Sequence, residues 1–206
     1  MLNRSHIARD VQIICGITLL LVLAPCQVNA QEVRATERST YIDYSGRDLR
    51  SVIRKMKAYS RNEHGGGAFF AHTAVQFNYS LTPAPTESGC ALKMYEVVVD
   101  IEFKMPRWTR VNSASQLDRF HWNKLYSAAW RHERMHGAIA EAMGDELAAI
   151  LSEVGPEADC DVLSATAKDA ANNYLDSSTT QAAFDRYARD RDDPSDFDIA
   201  AAVRRN

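Results

Sequence analysis

Hydrophobic and polar positions change their period along this chain, mainly two in its first half and mainly three-to-four in its second. Phe69, Ala71, Thr73, Val75, Phe77 and Tyr79 alternate within 68–81, and Tyr95, Val97, Val99, Ile101 and Phe103 alternate within 92–103. Such alternation predicts strands with one buried face. Pro83 and Pro85, followed by Glu87-Ser88-Gly89, read as a turn, so the two runs are expected to pair as an antiparallel hairpin. Pro106 is expected to end the second strand. A weaker alternation over 40–44 suggests a short strand, broken by Ser45-Gly46. Leu49, Val52, Ile53 and Met56 then share one face of a first helix over 48–59, and Gly65-Gly66-Gly67 separates it from the first long strand.

From about residue 115 the period is helical and holds to about 154, with Gly137 and Gly144 inside it. An unbroken helix of that length would be ~60 Å long, so a bend near one glycine is expected. Gly155-Pro156 stops the run. Residues 159–187, rich in Ala, read as one or two further helices. Strands thus come largely before helices, which predicts an α+β fold, with an antiparallel β-hairpin or small sheet packed on helices. A single domain over 31–188 and a charged, flexible tail over 189–206 complete the expected organisation.

The N-terminus carries Arg4 and Arg9, an apolar stretch from Ile13 to Ala24, and Val28-Asn29-Ala30 with small residues at the positions a signal peptidase reads. Residues 1–30 are therefore expected to be a secretory signal. The apolar stretch falls short of the ~20 residues of a spanning helix, so no stable membrane insertion is expected after cleavage. Loss of Arg4, Arg9 and Asp10 takes the net charge from −3 to −4, a balance that argues against nucleic acid as a partner. Cys15 and Cys26 leave with the signal, and Cys90 and Cys160 remain. In a periplasmic or secreted chain the natural expectation for such a pair is a disulfide, with zinc ligation the alternative.

The candidate chemistry is His132-Glu133-Arg134-Met135-His136, an H-E-x-x-H pattern. On a helix the two imidazoles project one turn apart from one face and can ligate a Zn2+ ion. Glu133, a quarter-turn round, can act as general base toward water on that ion. A surface helix whose polar residues do nothing is the alternative. Trp122, Leu125, Tyr126, Ala129 and Trp130 before the motif, and Ile139, Ala140 and Met143 after it, give the helical context the motif requires. His121 and Trp122, about three turns upstream, read as packing.

A catalytic zinc normally has a third protein ligand. The extension H-x-x-G-x-x-H fails, because Ile139 and Ala142 stand where Gly and His would be. Glu153 and Glu157 flank Gly155-Pro156 with unclear orientation. Glu141 points 140° away from His136 around the helix, and Asp145 and Glu146 lie too far along it. Asp169, Asp176, Asp185 and Asp190 stay open as carboxylates from the C-terminal region. His72 is in phase with Ala74 and Gln76. It is a candidate for stabilising an oxyanion if a peptide pairs with the strand edge, although a structural role is commoner for a strand histidine.

Several segments resemble one known family in order: Tyr41-Ile-Asp-Tyr-Ser-Gly46, Gly65-Gly66-Gly67, Ala71-His72-Thr73, Gly89-Cys90, Met105-Pro106-Arg-Trp108, Trp130-Arg-His-Glu-Arg-Met-His-Gly137, Cys160 and Phe184-Asp185-Arg186. This is the bacterial domain of unknown function 922, described as predicted secreted zinc-dependent proteases. The resemblance implies a zincin-like fold and a zinc metallopeptidase acting on a peptide or protein. An aromatic-Asp element followed by Thr and then His-Gly is a later feature of that family. Phe184-Asp185 matches its start, whereas Ala188 and Asp190 stand where Thr and His would fall, so the resemblance favours Asp185 as third ligand. Hydrolysis of amide bonds in cell-wall peptides, or a non-catalytic zinc-binding envelope module, are the competing functions.

Overall fold

In a computed structural model of the chain, residues 30–64 and 71–188 are described. The longest strand, β3 (Gly89–Trp108), is the centre of a three-stranded sheet. Its odd positions Tyr95, Val97, Val99, Ile101, Phe103 and Met105 are all buried, none more than 3% exposed. β2 (His72–Thr86) pairs with it antiparallel across a two-residue turn at Glu87-Ser88, as the alternation requires. Gly89 closes this turn at φ +139°, where a side chain would be strained and would also run into the Glu157 carbonyl.

The third strand differs from expectation. β1 (Ala30–Tyr44) is 15 residues long rather than five, and it pairs with β3 in parallel. The sheet is therefore mixed, with order β1-β3-β2, not purely antiparallel. Its length is hidden in the sequence because Glu32, Arg34, Thr36 and Arg38 face the uncovered side of an edge strand, leaving little apolar alternation to read.

Both hairpin strands also run past their expected ends. Pro83 and Pro85 lie inside β2, beyond a register shift at Thr82/Pro83. β2 is an edge strand, and there a proline's missing N–H interrupts no outer ladder. Pro106 lies inside β3, where pairing with β2 has already ended at Lys104 and only β1 remains alongside.

One face of the sheet carries α2 (Gln116–Ser152), a single 37-residue helix capped by the Ser115 hydroxyl, which accepts from the Asp118 N–H at 3.1 Å. At about 56 Å it lies along β3, itself ~66 Å long. The helix continues through Gly137 and Gly144 without interruption, and both glycines serve contact. A Cβ at Gly137 would stand 2.9 Å from the Phe103 ring, and one at Gly144 would stand 2.6 Å from Val99 Cγ2. Gly137 meeting Phe103 and Gly144 meeting Val99 shows that α2 runs antiparallel to β3. Ile139, Ala140, Leu147, Ala148 and Leu151 fill the interface with no exposed surface.

The remaining elements complete two clusters. α3 (Cys160–Ser177) is capped by Asp159, whose Oδ1 accepts from Asp161 N and Val162 N, and it buries Leu163, Ala167 and Ala171 in the main core. α4 (Thr180–Ala188) buries Thr180, Phe184 and Ala188 on one face. α1 (Leu49–His64), longer than the expected 48–59, buries Val52 and Met56 with Tyr44, Trp108 and Trp122. Trp122 is thus packing, edge-on to Trp108 with ring centroids 5.9 Å apart.

The opposite face of the sheet is polar. Arg34–Glu96 at 2.8 Å and Arg38–Glu102 at 2.9 Å cross it as exposed pairs. Solvent-exposed pairs of this kind contribute little, so burial beneath α2 holds the fold. The expected signal (apart from Ala30, where β1 begins), the Gly65-Gly66-Gly67 breaker and the expected tail lie outside the described residues.

Candidate functional site

α2 presents His132 and His136 from one face, with Nε2 atoms 3.2 Å apart. α4 approaches them from the side. Its buried Phe184 wedges against both imidazoles, each ring centroid 4.9 Å away. That contact sets the next helical row, Gln181 and Asp185, over the histidines. Asp185 Oδ1 comes within 3.0 Å of His136 Nε2 and 3.4 Å of His132 Nε2.

These three atoms form a nearly equilateral triangle with edges of 3.0, 3.2 and 3.4 Å. Ligand atoms ~2.0–2.1 Å from a tetrahedral zinc stand about 3.3 Å from one another. The donor set fits as well, two imidazoles and one carboxylate. The residues present would suit a divalent ion.

The three residues line a cleft of about 410 Å³ that also includes Glu133 and the start of β2, Ala71 to Thr73 with Val75. Glu133 is only 6% exposed. Its carboxylate Oε2 accepts from the Thr73 hydroxyl at 2.7 Å, and the same hydroxyl lies 3.2 Å from the Glu133 carbonyl. One oxygen of the carboxylate is thus held by the sheet. Gln181 makes a two-point contact with His136: its side-chain N–H donates to the His136 carbonyl at 3.1 Å, and its Oε1 lies 2.5 Å from Nδ1.

The structure brings together His132, Glu133, His136 and Asp185, and it places His72 exposed on the cleft rim. It does not bring Glu141, Asp145, Glu146, Glu153, Glu157, Asp169 or Asp176 into the His132–His136–Asp185 cluster. Glu157 sits at the other end of the sheet, its backbone paired with Cys90. Asp190 lies outside the described residues. Cys90 and Cys160 form a disulfide with Cα atoms 5.1 Å apart, which removes both as ligands.

Thr73 and Gln181 were not singled out by sequence reasoning. Thr73 shares the helix-facing phase of Val75 and Phe77, and Gln181 is one turn before Asp185. Either signal is readable only once the strand face and α4 are known. A larger cleft of about 840 Å³ lies at the far end, between the hairpin turn and the end of α2. It offers the carboxylates of Glu87 and Glu153 but no histidine, so the chemistry favours the smaller one.

No helix among the described residues is long and apolar enough to cross a membrane. The family model of a bacterial protein of unknown function (DUF922) matches residues 39–191. No curated protein and no solved structure matches the chain.

Proposed function

The chain belongs to the bacterial DUF922 family, and from that premise we propose that it is an exported zinc-dependent metallopeptidase with a zincin-like active site. The observation that carries the reading is the triangle of His132 Nε2, His136 Nε2 and Asp185 Oδ1, with its edges of 3.0 to 3.4 Å. Glu133 in the same cleft supports it, as does the edge strand β2 beside the cluster. The disulfide suits an oxidising compartment, periplasmic or extracellular.

His132, His136 and Asp185 would hold the zinc. When bound, zinc supplies Lewis acidity, lowering the pKa of water toward ~7 and polarising a carbonyl oxygen. Glu133 takes a proton on the oxygen that Thr73 leaves free and passes it to the leaving amine. The outer edge of β2, free of proline over 72–82, can pair with an extended peptide backbone. His72, at the start of that edge and lining the cleft, would donate to a developing oxyanion.

The test is elemental analysis of the purified protein followed by assay of Glu133→Gln on casein and peptidoglycan. One zinc per chain, activity in the natural protein and loss of activity with zinc retained in the variant are the expected results. Activity on peptidoglycan alone would redirect the reading to a cell-wall amidase. Zinc without any turnover would leave a binding module, and absence of zinc after supplementation overturns the proposal.

A further inference from the structure

We propose that Gln181 is a positioning residue for the metal: it fixes His136 in the tautomer that carries its proton on Nδ1 and so leaves Nε2 bare for ligation. This rests on the zinc reading above. The inference follows from three contacts that constrain one another. The His136 backbone carbonyl can only accept, so the Gln181 group 3.1 Å from it is the NH2 end of the amide. The other end, 2.5 Å from His136 Nδ1, is then the amide oxygen, which also can only accept. Nδ1 must therefore be the donor, and in a neutral ring Nε2 carries no proton.

Nε2 is the atom that faces His132 and Asp185. The backbone carbonyl, through one glutamine, thus decides which nitrogen of the ring is the ligand. Gln181 and Asp185 are one turn apart on α4, whose Phe184 is fully buried between the imidazoles. One nine-residue helix consequently supplies both a candidate ligand and the orienting group for another. An outer partner of this kind typically contributes 10–100-fold to metal affinity.

Two variants test the role. Gln181→Met keeps the length and removes the acceptor; Gln181→Glu keeps an acceptor oxygen at the same reach. Imidazole 15N NMR of the metal-free protein in alkaline buffer reads the tautomer directly. Zinc affinity is read by competition with a chelator, and the metal-free Tm reports folding. His136 is expected to carry its proton on Nδ1 in the natural protein and in Gln181→Glu, and to shift toward Nε2 in Gln181→Met. Zinc affinity should fall ~10–100-fold in Gln181→Met and be partly rescued in Gln181→Glu, which still accepts from Nδ1 but no longer donates to the His136 carbonyl. A purely structural role would lower the metal-free Tm of both variants and leave the tautomer in place. Should Gln181→Met fail to fold, the natural protein's tautomer and the Gln181→Glu affinity still decide. Stoichiometric zinc in the natural protein with unchanged affinity in Gln181→Met, or a natural His136 protonated on Nε2, overturns this inference alone. Absence of zinc from the natural protein overturns the functional reading and this one with it.

Discussion

Thr73 Oγ1 donates to Glu133 Oε2 at 2.7 Å, linking the second residue of the edge strand to the one buried carboxylate of the H-E-x-x-H helix. The contact leaves a single carboxylate oxygen directed by geometry rather than by rotamer chance. Thr73→Val keeps the shape and removes the hydroxyl. Proton transfer by a positioned group contributes ~10²–10⁴-fold, so kcat on a peptide substrate is expected to fall by a sizeable part of that. Zinc content should not change. Unaltered kcat would show that Thr73 serves packing only.

Asp185 is 50% exposed at its side chain and reaches the histidines from a nine-residue helix. Asp185→Ala removes one of three proposed ligands. The expected loss of zinc affinity exceeds the ~10–100-fold of an outer partner, measured by chelator competition. A variant that still holds zinc as tightly as the natural protein would assign the third position to another group.

The disulfide closes a span of 70 residues that contains β3, α2 and the whole H-E-x-x-H motif. In the loop-closure model such a link contributes ~4 kcal/mol, a large share of the 5–15 kcal/mol typical of a domain. Cys90→Ser with Cys160→Ser is expected to lower Tm by roughly 10 °C, followed by calorimetry. A shift of only a degree or two would mean that the Cys90–Glu157 backbone pairing already fixes this corner.

Gly144 and Gly137 let α2 approach β3 more closely than any side chain would allow. Gly144→Ala forces Val99 aside and is expected to cost ~1–3 kcal/mol by overpacking. Gly137→Ala meets the far end of the Phe103 ring at 2.9 Å, a milder clash than the 2.6 Å to Val99 at Gly144, so the smaller loss is expected there. Chemical denaturation ranks the two, and the reverse order would contradict this account of the interface.

The hairpin, the α2 face and the histidine pair were legible in the sequence because each expresses a period: two along Tyr95–Phe103, three-to-four around His132 and His136. Of β1 only residues 40–44 were, since a polar edge strand with one uncovered face carries little hydrophobic signal. The role of Gly137 and Gly144 was not, because a glycine in a helix reads alike whether it breaks the helix or admits a neighbour. Asp185 stood out as the candidate third ligand only through family resemblance; its proximity depends on Phe184 docking between two imidazoles, a tertiary contact with no local signature. Gln181 and Thr73 act through that same docking and through the strand phase, and their spacing from the motif carries no information.

Tyr174 is 6% exposed, and its hydroxyl has no hydrogen-bond partner among the described residues. Burial, reinforced by the nearby Glu146 carboxylate, pushes its phenol up from 10.0 to about 12. Burial and the neighbouring Tyr59 do the same for Tyr44, also to about 12. A phenol is neutral when protonated, so a raised value in the folded state leaves stability intact below 10.0. As pH rises toward about 12, the unfolded chain releases these protons first and stability falls. Burial also raises Tyr95 and Tyr126, so Tyr174→Phe should remove one of several contributions, making the alkaline decline shallower. At neutral pH it also removes a buried unpaired hydroxyl, for an expected gain of ~1 kcal/mol. Urea unfolding on both sides of that pH window measures the two effects together. A neutral-pH loss of stability would mean that the Tyr174 hydroxyl bonds an ordered water or a residue outside 30–64 and 71–188.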